Sequence, residues 1–189
     1  MIEEKNEINA FGLVKSIEIE KLIESMNNLY PSIKFRAKKY RSYDDLSSRF
    51  IKKVRKTPTE YLLAEISNDW TVILDNQLNS DGCASILYNL NRVYNIEGLN
   101  TSYNKLGISF NYYSKKSKRT VNSYCENGKW VFYQNGDSLP FENIENYSKR
   151  KIKERFNRDI LREYLVTIGI NNAFSFLSSG QRIFHLTKM

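Results

Sequence analysis

His185 is the single histidine of the 189-residue chain, so any triad built on imidazole must use it. A serine or a cysteine nucleophile would have to use this same histidine, and for cysteine the candidates are Cys83 and Cys125, the only two in the chain. Reacting groups meet in space rather than in sequence, so spacing leaves both pairs open. No motif surrounds any of the three, and the expectation is a structural histidine and two reduced, buried thiols. Two cysteines and one histidine without short ligand spacing fall short of a closed zinc site. Asp69, Asp75 and Asp81 have the oxygen chemistry that suits magnesium or manganese, and a carboxylate or metal-dependent enzyme is the third reading of the chain. Each of the three also falls at an expected turn or helix start, where Asp is favoured for its own hydrogen bonds. Glu142, Glu145 and Glu163 are candidate carboxylates for glycoside chemistry, yet nothing singles out two of them. No glycine-rich phosphate loop occurs. The expected catalytic residues, metal ligands and cofactors are none.

Cations are more promising than catalysts. The net charge is +8, and it is segregated. Residues 34–56 hold ten basic side chains against Asp44 and Asp45. Residues 57–104 hold Arg92 alone against six carboxylates, and residues 105–135 hold six cations against Glu126. Such a dipolar pattern admits an acidic partner. For a nucleic-acid interface the candidates are Lys34, Arg36, Lys38, Tyr40 and Arg41, with Lys115, Lys116, Lys118 and Arg119 in a second group. Their cations would meet phosphates and the neighbouring tyrosines would stack on bases. A lysine-rich turn is, however, more often a solvated hairpin tip, and no RNA-recognition sheet signature or helix-turn-helix accompanies these residues.

The elements that must carry these groups are legible in the spacing. Asn127-Gly128, between Tyr124–Glu126 and Lys129–Tyr133, fits a type I′ turn, whose two central residues need positive φ. Strands are expected near 33–38, 61–66, 70–74, 99–103, 108–113, 119–125, 130–133 and 181–187. Ser16 is placed to cap a helix to Leu29, broken by Pro31, with Ile19, Leu22, Ile23, Met26 and Leu29 inward. Ser42–Asp45 reads as a capping box for a helix that Thr57-Pro58 ends. A further helix over 80–94 should bury Cys83, Ala84, Ile86, Leu87, Leu90, Val93 and Tyr94. Asn143 should cap a helix over 144–156, and Asn157 another over 158–168 that stops at Gly169. A short helical turn is expected at 172–177. Hairpins mixed with helices in no βαβ rhythm imply α+β: a mostly antiparallel, aromatic-rich sheet covered by helices. One compact domain is expected over 1–189, with a candidate seam near 57–58.

The last third adds a resemblance. Trp130-Val131-Phe132, Gly136, Pro140-Phe141-Glu142, Arg155-Phe156 and Tyr164-Leu165 through Gly169 form a W-x-F…G…P-F-E…R-F…Y-L-x-x-x-G pattern. It resembles a pattern in a family of bacterial proteins to which no activity attaches. The resemblance implies small cytoplasmic proteins of antitoxin or immunity type. No signal peptide and no run of eighteen apolar residues occurs, so neither export nor a membrane span is expected. The functional expectation is a non-catalytic, cytoplasmic bacterial protein that binds another protein, with an acidic surface on that partner. Nucleic-acid binding through 34–56 and 115–119 is the alternative.

Overall fold

The computed structural model describes residues 10–15, 17–30, 32–40, 60–67, 69–76, 81–171 and 182–189. The expected helix over 43–56, the 57–58 seam, the turn at 172–177, Ser16, Pro31 and Arg41 lie outside them. Among the described residues nine strands form one sheet: β1 (Ala10–Lys15), β2 (Phe35–Tyr40), β3 (Glu60–Ser67), β4 (Trp70–Asp75), β5 (Gly98–Asn104), β6 (Gly107–Tyr113), β7 (Lys118–Glu126), β8 (Lys129–Asn135) and β9 (Ile183–Lys188). Their order is β2-β9-β3-β4-β1-β5-β6-β7-β8, and every neighbouring pair is antiparallel. The helices are α1 (Ile19–Leu29), α2 (Asp81–Tyr94), α3 (Ile152–Arg155) and α4 (Arg158–Thr167), with a 3₁₀ turn at Ile144–Ser148. The chain is α+β.

Alternation along the strands sorts the core into two clusters. Phe11, Leu13, Leu62, Val72, Leu74, Phe110 and Val121 join Phe156, Leu161, Tyr164 and Leu165 from the C-terminal helical segment. Val14, Leu63, Ile73, Phe184 and Leu186, of the opposite parity, join Ile19, Leu22 and Met26 of α1 and Cys83, Ile86, Leu87 and Leu90 of α2. β4 is buried along its whole length because it serves both. The C-terminal strand β9 inserts between β2 and β3 rather than adding at an edge.

Three expectations need correction. Val93 and Tyr94 are exposed at the end of α2, whose buried face stops at Leu90 and Asn91. The helix over 144–156 is two short pieces. Nine residues of continuous helix, at about 100° each, would put Tyr147 and Phe156 about 180° apart, yet both belong to one cluster. Lys151 therefore takes an extended conformation between them, at φ −85° and ψ 117°. Central strand β1 was not anticipated. Its core is a continuous apolar run without alternation, and it contains Gly12. A Cβ there would lie 2.7 Å from Leu87 Cδ1, so the glycine lets α2 close on the strand.

Candidate functional site

The two basic groups do not form one surface. β2 and β7 stand seven places apart in the sheet, about 34 Å at the usual spacing of about 4.8 Å between strands. β2 is an edge strand with Arg36, Lys38 and Lys39 exposed, and Lys38 Nζ lies 5.0 Å from the Tyr40 ring centroid. Lys34 precedes this strand. Lys115 and Lys116 project from the β6–β7 turn, and exposed Lys118 lies over Tyr88 at 4.7 Å.

Arg119 is not with them. It is 2% exposed and points inward. Its Nε donates to Glu142 Oε1 at 2.9 Å and its Nη2 to Glu142 Oε2 at 2.7 Å. Nη1 donates to the Gly136 carbonyl at 2.7 Å and Nη2 also to Gln134 Oε1 at 2.8 Å. The Tyr147 hydroxyl donates to Glu142 Oε2 at 2.7 Å and lies 2.9 Å from the Tyr164 hydroxyl. Burial would lower the Arg119 pKa, but hydrogen bonding and the charge of Glu142 more than reverse this. Burial pushes both tyrosines above their ordinary value. Each charge is met by several partners, which makes this network a clamp between β7 and the C-terminal segment rather than a reactive centre.

The candidate thiol–imidazole pairs do not assemble. His185 Nε2 lies 2.8 Å from Glu60 Oε2, on the side of β9 opposite Phe184 and Leu186. Cys83 packs with those two residues, and its Sγ–H donates to the Ile73 carbonyl at 3.3 Å. Burial, then the neighbouring charge of Asp75, holds this thiol well above its ordinary pKa. Cys125 is six strands from His185, about 29 Å by the same spacing. Asp75 Oδ2 accepts the Cys83 backbone N–H at 2.7 Å, tying the end of β4 to the first turn of α2. Among the described residues no three His, Cys, Asp or Glu side chains converge.

A different surface emerges on β5–β8. Antiparallel register aligns Asn100, Asn111, Thr120 and Asn135 in one row, and Ser102, Ser109, Asn122 and Tyr133 in the next. Side chains alternate across a strand, so both rows share the sheet face on which α1 and α2 lie further along. Here the face is polar. Ser102 and Ser109 hydroxyls lie 2.7 Å apart, Thr120 donates to Asn111 Oδ1 at 2.9 Å, and Tyr113 to Asn100 Oδ1 at 3.3 Å. Asn122 Oδ1 is buried without a donor. A depression of about 290 Å³ opens at Gly107, lined by Ser102, Asn104, Ser109, Asn122 and Tyr124. Tyr124 and, in the row beside it, Tyr133 are 38% and 49% exposed, and Tyr88 of α2, 42% exposed, stands at the other end of the face against Tyr113. Exposed Lys105 and Lys129 stand at the turns of one end and Lys115, Lys116 and Lys118 at the other. Period-two reading of 100–104, 109–111 and 120–124 holds the signal, which aromatic counting passed over. Compared with known protein families, curated proteins and solved structures, the chain matches none.

Proposed function

We propose that the protein binds another macromolecule without chemistry of its own, as an immunity- or antitoxin-type binder in a bacterial cytoplasm. The observation that carries this reading is the open face of β5–β8. It offers amides, hydroxyls and three exposed tyrosines between two sets of lysines. Tyrosines and adaptable polar side chains suit a protein interface, and lysines around its margin favour an acidic partner and speed encounter. In this reading the helices cover the β1–β4 half and the C-terminal core, and leave that face for the partner. The test is affinity capture of the tagged protein from its own cells, with and without nuclease. A stoichiometric protein that survives nuclease and is lost with Tyr124→Ala plus Tyr133→Ala supports the reading. Capture indifferent to that double substitution removes the face from it.

Nucleic-acid binding through β2 is the second reading, supported by exposed Arg36, Lys38 and Lys39 along one edge with Tyr40 beside them. It requires affinity that falls steeply with salt and weakens on charge reversal at Arg36 and Lys38. A flat salt dependence ends it.

A further inference from the structure

The two edges of the sheet differ in how they are protected. Natural edge strands avoid unwanted pairing by being short, charged, bulged, interrupted by proline or covered. β2 carries three exposed cations. β8 has none of these devices along its middle. It runs for seven residues as Lys-Trp-Val-Phe-Tyr-Gln-Asn, without proline, and its only charge is Lys129 at the start. Its register with β7 is continuous from Glu126↔Lys129 to Thr120↔Asn135, and β7 is its one strand neighbour among the described residues. Such a strand presents outward N–H and C=O groups that call for a tenth strand.

The chemistry on either side of β8 specifies what that strand carries. Trp130, Phe132 and Gln134 share one face with α3. There Lys153 Nζ lies 4.7 Å from the Trp130 ring centroid and the Arg155 guanidinium 5.8 Å from that of Phe132. Lys151 of the same segment is paired with Glu154 at 2.9 Å, whereas among the described residues no carboxylate pairs with Lys153 or with Arg155, whose Nε donates to the Lys149 carbonyl at 2.7 Å. The other face of β8 carries Val131 and Tyr133, uncharged and continuous with the open face of β5–β8. We propose that β8 accepts an extended segment of the partner protein as an added strand, with acidic side chains on the α3 side and apolar ones alternating on the other. A second copy of this chain fits less well. Two-fold antiparallel pairing about Phe132 keeps both α3 helices on one face, and sets Lys153 and Arg155 of each copy beside the same cations of the other.

The inference rests on the binder reading and gives the chemistry of its partner. The probe is a labelled synthetic peptide alternating Glu and Val, long enough to span the seven residues of β8. A Lys-for-Glu counterpart and a backbone N-methylated version are its controls. Fluorescence anisotropy should show the Glu peptide binding about tenfold or more tighter than the Lys peptide, and no binding after N-methylation. The Lys153→Glu plus Arg155→Glu variant, altered only at exposed or half-exposed positions, should reverse the preference. Equal binding of both peptides, indifference to N-methylation, no binding of the Glu peptide, or an unchanged preference in the variant would each overturn strand addition. A nuclease-resistant partner captured equally by the charge-reversed variant would leave the binder reading standing and sink this one. Dimerisation abolished by Val131→Pro would hand the edge to a second copy, and would also overturn it.

Discussion

Arg119 on β7 and Glu142, twenty-three positions later, form an ion pair closed at 2.7 Å with side chains 2% and 0% exposed. The pair links the sheet to the segment that leads into α3 and α4. Glu142 also accepts the Leu139 backbone N–H at 3.1 Å and the Tyr147 hydroxyl at 2.7 Å. One carboxylate thus fixes the course of the chain after β8.

Removing one partner should be costly, because the other charge is left buried. Glu142→Ala or Arg119→Ala is expected to lower stability by about 3–5 kcal/mol in denaturant unfolding. Replacing both with apolar residues of similar volume should recover most of that loss, since an isolated buried pair gains little over good packing. Two single variants that each cost under about 1 kcal/mol would show that the pair is solvated in solution.

Legibility followed whether a signal was local. Asn127-Gly128 was readable because its chemistry is complete in two residues, and both stand at positive φ, 50° and 77°. Asn157 was readable for the same reason, and its side chain accepts from the Asp159 and Ile160 N–H groups. Arg119 was not. Beside Lys118 it looks like one more surface cation, and its burial depends on a carboxylate that only the folded chain brings back. The expected helix over 144–156 failed on a similar point, since local propensity says nothing of the demand that Tyr147 and Phe156 face one core. The polar rows of β5–β8 depend on register across four strands, which no single segment contains.

Buried phenols make the protein sensitive to alkali. Tyr61, Tyr112, Tyr113, Tyr147 and Tyr164 are all raised above their ordinary value, chiefly by burial. For Tyr147 the hydrogen bonds to Tyr164 and Glu142 add to it. The folded form keeps protons that the unfolded chain releases near pH 10, so folding is linked to protonation. Their contribution is complete below about pH 10 and is lost as pH rises beyond it. Tyrosinate absorbance should therefore appear in two stages, exposed rings first and these five buried or half-buried ones only as the fold melts. Titration of all thirteen tyrosines near pH 10 with the fold intact would contradict this.

The two thiols should differ sharply in reactivity. Cys83 is 1% exposed, with a pKa raised by burial and by Asp75, so little thiolate forms at neutral pH. Cys125 is half-buried near the end of β7. Iodoacetamide on the native protein should label Cys125 and spare Cys83 until denaturant is added, as read by peptide mass mapping. Labelling of Cys83 at an equal rate would mean that α2 lifts from the sheet under native conditions.

Two glycines with the same backbone sign separate strain from collision. Gly128 has φ +77° with nothing within 4 Å of an added Cβ. Gly128→Ala therefore meets only the left-handed penalty, about 1–2 kcal/mol. Gly136 has φ +83°, and a Cβ there would lie 2.0 Å from the Lys118 carbonyl oxygen. The alanine cannot be accommodated without moving backbone, and that movement pulls the Gly136 carbonyl from Arg119 Nη1, now at 2.7 Å. Gly136→Ala should thus incur the left-handed penalty and lose part of the clamp together, exceeding the cost of Gly128→Ala by about 1–3 kcal/mol. Combining Gly136→Ala with Arg119→Met plus Glu142→Leu isolates the second contribution, because neighbours that share a network are not additive. If Gly136→Ala costs the same in both backgrounds, the glycine serves the turn alone and the clamp does not depend on it.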